Sequence, residues 1–400
     1  MITKELIAYV TEIRRRIHQN PELSMEEWET TRLVCQELER FGLEVIRWEE
    51  IPGAVGLLRG GRPGPTVAFR ADMDALPLQE DSGSPYASRR DGVMHACAHD
   101  GHTALLLGLA RHFAQRRGEL AGNIKFIFQP GEEVPPGGAV EMIRRGVLEE
   151  PHVDAIFGLH HATENATGDI GVLPGPFLAG SATFTIRLRV KGGGGSAPHK
   201  GEDGIMAAAE LLTAIQVEMT RRIDPVKPGL VSFGTIHAGT APNILANQVE
   251  ITGTARFFHP DVADRIRRLL RETAEAVAGR YQGQAEVVYE PNYPGVINHP
   301  AMTDLVKRAA EKALGPSHVQ QATPLMAGDD MAYFLQEVPG SYYWWGITPP
   351  SGVIAPAHTP RFDFDENAFE TALRVNVEIV VLALAELGVE GGGGAGDGAV

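Results

Sequence analysis

"ATFTIRLRVKG", residues 182–192, alternates without a break: Phe184, Ile186, Leu188 and Val190 fall on one face, Thr185, Arg187, Arg189 and Lys191 on the other. A period of two marks a strand with one buried and one solvated face. Upstream the pattern differs. "TVAFRAD" (66–72), "NIKFIFQPGEE" (123–133) and "DAIFGLHH" (154–161) are short apolar runs, and helical stretches such as "TALLLGLARHFAQRR" and "GGAVEMIRRGVL" lie between them. Two helices are expected first, over 3–19 and 25–42, split at Asn20-Pro21. Alternating β and α units predict a mixed, mostly parallel sheet covered by helices. After the strand at 182 come a helix ("GIMAAAELLTAIQVEMTRRI"), two strands ("GLVSFGTIHAG" and "NQVEITGTARFF"), a helix from about Asp261 to Arg280 and a strand ("AEVVYEPNY"). That order, βαββαβ, is ferredoxin-like. The turn-rich stretches "LPGPFLAG" and "EPNYPGVINHP" bracket it. The fold class expected is therefore α/β. A discontinuous domain, 1–179 and 294–390, is interrupted by an inserted βαββαβ domain, 180–293, and closes on a long helix over 365–387. The Gly-rich residues 391–400 cannot bury apolar surface and are expected to be disordered.

Composition narrows the function classes. The chain has 400 residues, 43% of them hydrophobic and 22% charged, as in soluble globular proteins of more than one domain. The net charge of −15 argues against a nucleic-acid partner, because phosphate contacts need clustered Lys and Arg. The basic runs "EIRRRI" and "RIRRLLRE" sit among acids on amphipathic helices and read as solvated faces. No apolar run is long enough to span a bilayer, and the first residues lack the uninterrupted apolar core of a signal peptide. A cytoplasmic protein without a membrane partner is expected. Two cysteines cannot form a disulfide framework; Cys35 lies in a helical pattern and reads as a core residue.

The other cysteine stands in "HACAHDGH", 95–102, the densest group of metal-binding and proton-moving side chains in the chain. Cys97 and His99, two apart on an extended loop, face one side, and the following helix is expected to begin near His102 or Thr103. Cys-x-His alone is a weak signal. Three strands add to it. "FQPGEE" ends in Glu132 and Glu133, "FGLHH" in His160 and His161, and "FRADMD" in Asp72 and Asp74. Ligands of open α/β sheets gather at such carboxyl ends. His358 follows in the loop "PAHTPRF". Cys97, His99, Glu133, His160 and His358 are too many for one tetrahedral zinc and suit two metals sharing a thiolate bridge. Of two adjacent carboxylates, one then holds metal while the other accepts a proton from water.

These residues, with "HQNPELS", "RADMDALP", "MHACAHDGHTA", "PNILANQVEITGTARF", "AGDDMAYFLQEVPG" and "AHTPRFDFDE", resemble the amidohydrolase branch of the dinuclear aminoacylase and carboxypeptidase family. The resemblance covers essentially the whole chain except the Gly-rich tail. It implies a Zn-peptidase-like catalytic domain and an inserted lid domain through which subunits dimerise. By the same resemblance Cys97, His99, Glu133, His160 and His358 are ligands of two divalent metals (Zn, Mn, Co or Ni), and Glu132 is the general base. His160 is preferred to His161 because it directly follows Gly-Leu. Asn243 and Arg256 are expected to contact substrate, and Asp72 and Asp100 to support the ligands. His199 is expected to stabilise the oxyanion in the active site of a partner subunit. The chain departs from the family in three places: Ala98 stands where Gly is usual, Asp329 where Glu is usual, and "VKGGGGSAPHKGEDG" keeps Pro198-His199 but lacks the first lid histidine. The expected reaction is cleavage of the amide of an N-acyl amino acid or small peptide by a metal-bridging water. The alternatives are a non-catalytic binding protein on the same scaffold and a metal-free hydrolase with Cys97 as nucleophile.

Overall fold

The computed structural model describes residues 2–392 and divides into two compact units. Among the described residues the first comprises 2–175, 297–323 and 330–392, the second 176–296 and 324–329. An eight-stranded sheet forms the first unit. In spatial order its strands are Glu44–Arg47, Ala54–Arg59, Ala121–Gln129, Arg62–Asp72, Ala155–Ala166, Gly340–Thr348, Ile170–Val172 and Val319–Gln321. The strand Arg62–Asp72 runs parallel to both of its neighbours, and Gly340–Thr348 runs parallel to Ala155–Ala166. Ala54–Arg59 pairs antiparallel with both Glu44–Arg47 and Ala121–Gln129, and Gly340–Thr348 pairs antiparallel with Ile170–Val172, so the sheet is mixed and mostly parallel. The central strands are apolar runs because both faces are covered. Helices Lys4–His18, His99–Ala114 and Ala368–Gly392 contribute Val10, Leu107, Leu373 and Ile379 to one core with Phe126 and Phe157 of the sheet.

The second unit holds strands Gly180–Arg189, Gly229–Ala238, Gln248–Phe257 and Gln284–Tyr293 and helices Gly204–Arg222 and Pro260–Arg280. Its four-stranded sheet is antiparallel, with Gly180–Arg189 and Gln248–Phe257 in the middle. The alternation at 182–192 appears as burial: Phe184, Ile186 and Leu188 pack with Leu211, Ile215, Ile266 and Leu270 of the helices, while Arg187 on the other face pairs with Glu250 at 2.8 Å. No helix among the described residues is long and apolar enough to cross a membrane.

Several boundaries differ from expectation. The second helix begins at Trp28, not residue 25, because Leu23 bridges to Ala75 and Met25 sits at φ 64°. The helix after the Cys-x-His motif begins at His99 itself: Ala98 turns into the left-handed region, and its carbonyl accepts the His102 N–H at 2.9 Å. His160 and His161 do not end their strand, which continues to Ala166. Its pairing with Arg62–Asp72 stops at Gly158, while His160 and His161 remain paired with Trp344 and Trp345 of Gly340–Thr348. The last helix runs from Ala368 to Gly392, taking in the first two residues of the expected disordered tail; residues 393–400 lie outside the described residues.

Candidate metal centre

Four separate segments of the first unit converge. Cys97 ends a loop, His99 opens a helix, Glu132 and Glu133 form the turn after Ala121–Gln129, His160 stands on the next strand, and His358 lies in the loop after Gly340–Thr348. Cys97 Sγ is 3.6 Å from His160 Nε2 and 3.3 Å from His358 Nε2. His358 Nε2 is 3.3 Å from Glu133 Oε1. Two trios of donor atoms share Cys97, one with His99 and His160 and the other with Glu133 and His358; a third joins His99 to Glu132 and Glu133. Within each trio the atoms lie within 4.8 Å of one another.

The far sides of the His99 and His160 rings are already engaged, which leaves their other nitrogens for the donor cluster. His99 Nδ1 donates to the Asp74 carbonyl at 2.9 Å, and His160 Nδ1 to the His161 carbonyl at 2.9 Å. His99 Nε2 is then left buried with no hydrogen-bond partner, a costly arrangement that a cation relieves. The backbone N–H of His358 donates to the Ala96 carbonyl at 2.8 Å and ties the two loops together; His358 itself sits at φ 61°. One thiolate, three imidazoles and a carboxylate, with an orphaned imidazole nitrogen among them, fit a pair of divalent cations of the borderline type.

Electrostatics reflect the crowding. Hydrogen bonds to Cys97 and Glu133 push the His358 imidazole up to about 10. Burial, then the neighbouring His102, pushes His160 down to about 3. Burial and the Glu133 charge push the Cys97 thiol up, the reverse of what a metal-free thiolate nucleophile needs. Beneath the donors, Asp72 accepts from His102 Nδ1 at 2.6 Å and from Arg70 at 2.7 Å. Burial alone would raise the Asp72 carboxyl, but His99, His102 and Arg70 hold it well below the usual carboxylate range. Asp100 points away from the donors, toward Arg14 Nε at 2.7 Å and His18 Nδ1 at 2.8 Å.

His199, Asn243 and Arg256 belong to the second unit. His199 is exposed on the short turn Pro198–Lys200; the helix that follows begins at Gly204, capped by Asp203. Asn243 is exposed, and its carbonyl accepts the Gly195 N–H at 2.8 Å. Arg256 donates to the Met326 carbonyl at 3.2 Å. The substituted Asp329 is buried. Asp74, in the sequence only a strand-end acid without a role, places its Oδ1 3.2 Å from His99 Nδ1, and its Oδ2 accepts from the Glu133 N–H at 2.9 Å and the Ser24 hydroxyl at 2.6 Å. Its place in "RADMD" was visible, but only folding shows that it bridges two donor segments.

Known proteins resemble this chain along most of its length. The model of peptidase family M20/M25/M40 matches residues 68–381. The chain is 39% identical over 371 residues to thermostable carboxypeptidase 2 of Saccharolobus solfataricus, covering 92% of this chain and 93% of that one. It is 35% identical over 387 residues to N-acetylcysteine deacetylase of Bacillus subtilis, covering 96% and 99%. The crystal structure of the Bacillus subtilis YXEP protein, a dinuclear metal binding peptidase from the M20 family, superposes with a TM-score of 0.83 at 33% identity, covering 96% and 99% of the two chains. The chain therefore belongs to peptidase family M20/M25/M40 and is one of its hydrolases.

Proposed function

We propose that this hydrolase is a metal-dependent amidohydrolase that cleaves the amide bond of N-acyl amino acids or small peptide-like substrates. The observation that carries this reading is the pair of donor trios sharing Cys97, with Glu132 in a third trio beside them. Cys97, His99, Glu133, His160 and His358 would hold two divalent ions, whether Zn, Mn, Co or Ni. When bound, such ions supply Lewis acidity toward an amide carbonyl and toward water. Glu132, buried beside the donors, takes the proton of the attacking water on its carboxylate and returns it to the leaving amine. Asp74 and Asp72 keep the rings of His99 and His102 in place. The raised Cys97 thiol weighs against the metal-free alternative.

The second unit is assigned the role of lid and dimerisation domain. Asn243 and Arg256 contact substrate, and His199 reaches the active site of a second copy of this chain, where it stabilises the oxyanion. Support for the dimer comes from Gly229–Ala238, an edge strand with Ile236 half exposed. Leu212, Val217 and Phe233 line an open apolar groove beside it. Such an edge favours pairing with another chain.

The test is a panel of N-acetyl and N-benzoyl amino acids and dipeptides, with metal content measured in parallel. Glu132→Ala is expected to lose roughly 10²–10⁴-fold in turnover or more while keeping both metals. Near-normal turnover in a folded Glu132→Ala chain sinks the assignment. For His199, the inactive Glu132→Ala and His199→Ala chains are mixed: a hybrid holds one site with both groups and regains activity. Mixed dimers without activity, or a fully active His199→Ala chain, end that part of the reading.

A further inference from the structure

The turn that presents Glu132 and Glu133 is held at two points by two different carboxyl groups. Downstream, Asp74 Oδ2 accepts the Glu133 N–H at 2.9 Å. Upstream, Glu27 Oε1 accepts the Gly131 N–H at 2.7 Å. Glu27 is fully buried, and its Oε2 has no hydrogen-bond partner. Its backbone is fixed in turn, since the Glu27 carbonyl accepts both the N–H and the hydroxyl of Thr31 at the start of helix Trp28–Arg40. Gly131 stands at φ 63°, and a Cβ there would come within 2.7 Å of Met25 Sδ, so the turn is built around a glycine whose one amide proton is spent on Glu27. Burial and the nearby Asp74 charge push the Glu27 carboxyl up to about 9. A buried acid with one unpartnered oxygen lowers stability, and groups retained at such a cost cluster where geometry matters for chemistry.

We propose that Glu27 is a positioning residue: its carboxyl oxygen, by holding the Gly131 N–H, aims the Glu132 carboxylate, while Asp74 independently holds Glu133. This rests on the reading of Glu132 as the base. The division of labour has a consequence. Without Glu27 the base loosens but the donor Glu133 stays in place, so metal is kept while the chemical step slows.

The experiment uses the full metal-loaded chain with Glu27→Ala, Glu27→Leu and Glu27→Gln. It measures kcat and KM on the best substrate of the panel, metal per chain, and amide hydrogen exchange of the peptide containing Gly131. Glu27→Ala and Glu27→Leu are expected to lose roughly 10- to 100-fold in kcat, to leave KM and metal content near wild type, and to speed exchange at Gly131. Leu fills the volume that Ala vacates and serves if Ala does not fold. Gln offers the same acceptor oxygen without charge and is expected to restore both kcat and protection. Wild-type kcat in a folded Ala or Leu variant overturns the proposal, as does a Gln variant as impaired as they are. A Glu132→Ala chain that keeps its turnover defeats the base assignment instead; protection of the Gly131 amide by Gln but not Leu then decides whether Glu27 holds the turn.

Discussion

Ala98 joins the loop that ends in Cys97 to the helix that begins with His99, and it does so at φ 56° and ψ 17°. A residue with a Cβ is strained there; glycine is not. Ala98 is fully buried, so the strain is not relieved by moving into solvent. The family's usual glycine at this place has a plain physical reason. Ala98→Gly is expected to stabilise the folded chain by about 1 kcal/mol, seen as a higher denaturant midpoint at unchanged slope. An unchanged or lower midpoint would show that the loop has relaxed around the methyl group. His358 at φ 61° belongs to the same class, a non-glycine donor held in a sparsely populated conformation by its surroundings, here the Ala96 carbonyl.

Helix Lys4–His18 works from beneath the site. Its buried Arg14 and His18 both reach Asp100, the neighbour of His99, and Arg14 also pairs with Asp363 at 2.7 Å. His18 Nε2 lies 3.3 Å from Glu80. Burial alone would lower the His18 imidazole, but Asp100 and Glu80 push it up to about 9. A raised folded-state value means that the charged form is favoured by folding. Its contribution is fully present below the unfolded value near 6.5 and is lost as pH rises through 9. The upper bound is about 3 kcal/mol. His18→Gln is therefore expected to be less stable than wild type at pH 6, with the gap closing by pH 9.5 in urea titrations run across that range. A gap that stays constant with pH would show that His18 contributes packing and not charge.

At the scale of the whole molecule, the donors come from residues 97–99, 133, 160 and 358, which span most of the chain. A cation held by them binds the folded chain and not the unfolded one. It stabilises by about 2.7 kcal/mol at a free concentration of 100 times Kd. Chelation is expected to lower Tm, and added Zn or Mn to restore it in a concentration-dependent way. A Tm indifferent to both chelator and metal would defeat the proposed metal centre. The sheet explains how such distant residues meet. Parallel strands bring their carboxyl ends to one edge, and each crossover returns the chain to begin the next.

How much of this was legible in the residues depends on the range of the interaction involved. Local periodicity determined the strand character of 182–189, because side chains alternate regardless of what covers them; the strand ends at Arg189, short of the last three residues of the alternating stretch. It determined the apolar central strands and hence the α/β class. The clustering of His, Cys, Asp and Glu after those strands marked the site region. Long-range contacts decided the rest. That the second helix waits until Trp28 depends on a bridge from Leu23 to Ala75, some fifty residues on. Gly-Leu singled out His160 over His161 only by resemblance; in the fold, His160 Nε2 faces Cys97 while His161 packs against Phe362. Nothing near Glu27 in the sequence hints at Gly131, 104 positions away. Propensity and periodicity act over a few residues, whereas a hydrogen bond between two turns exists only once the sheet has brought them together.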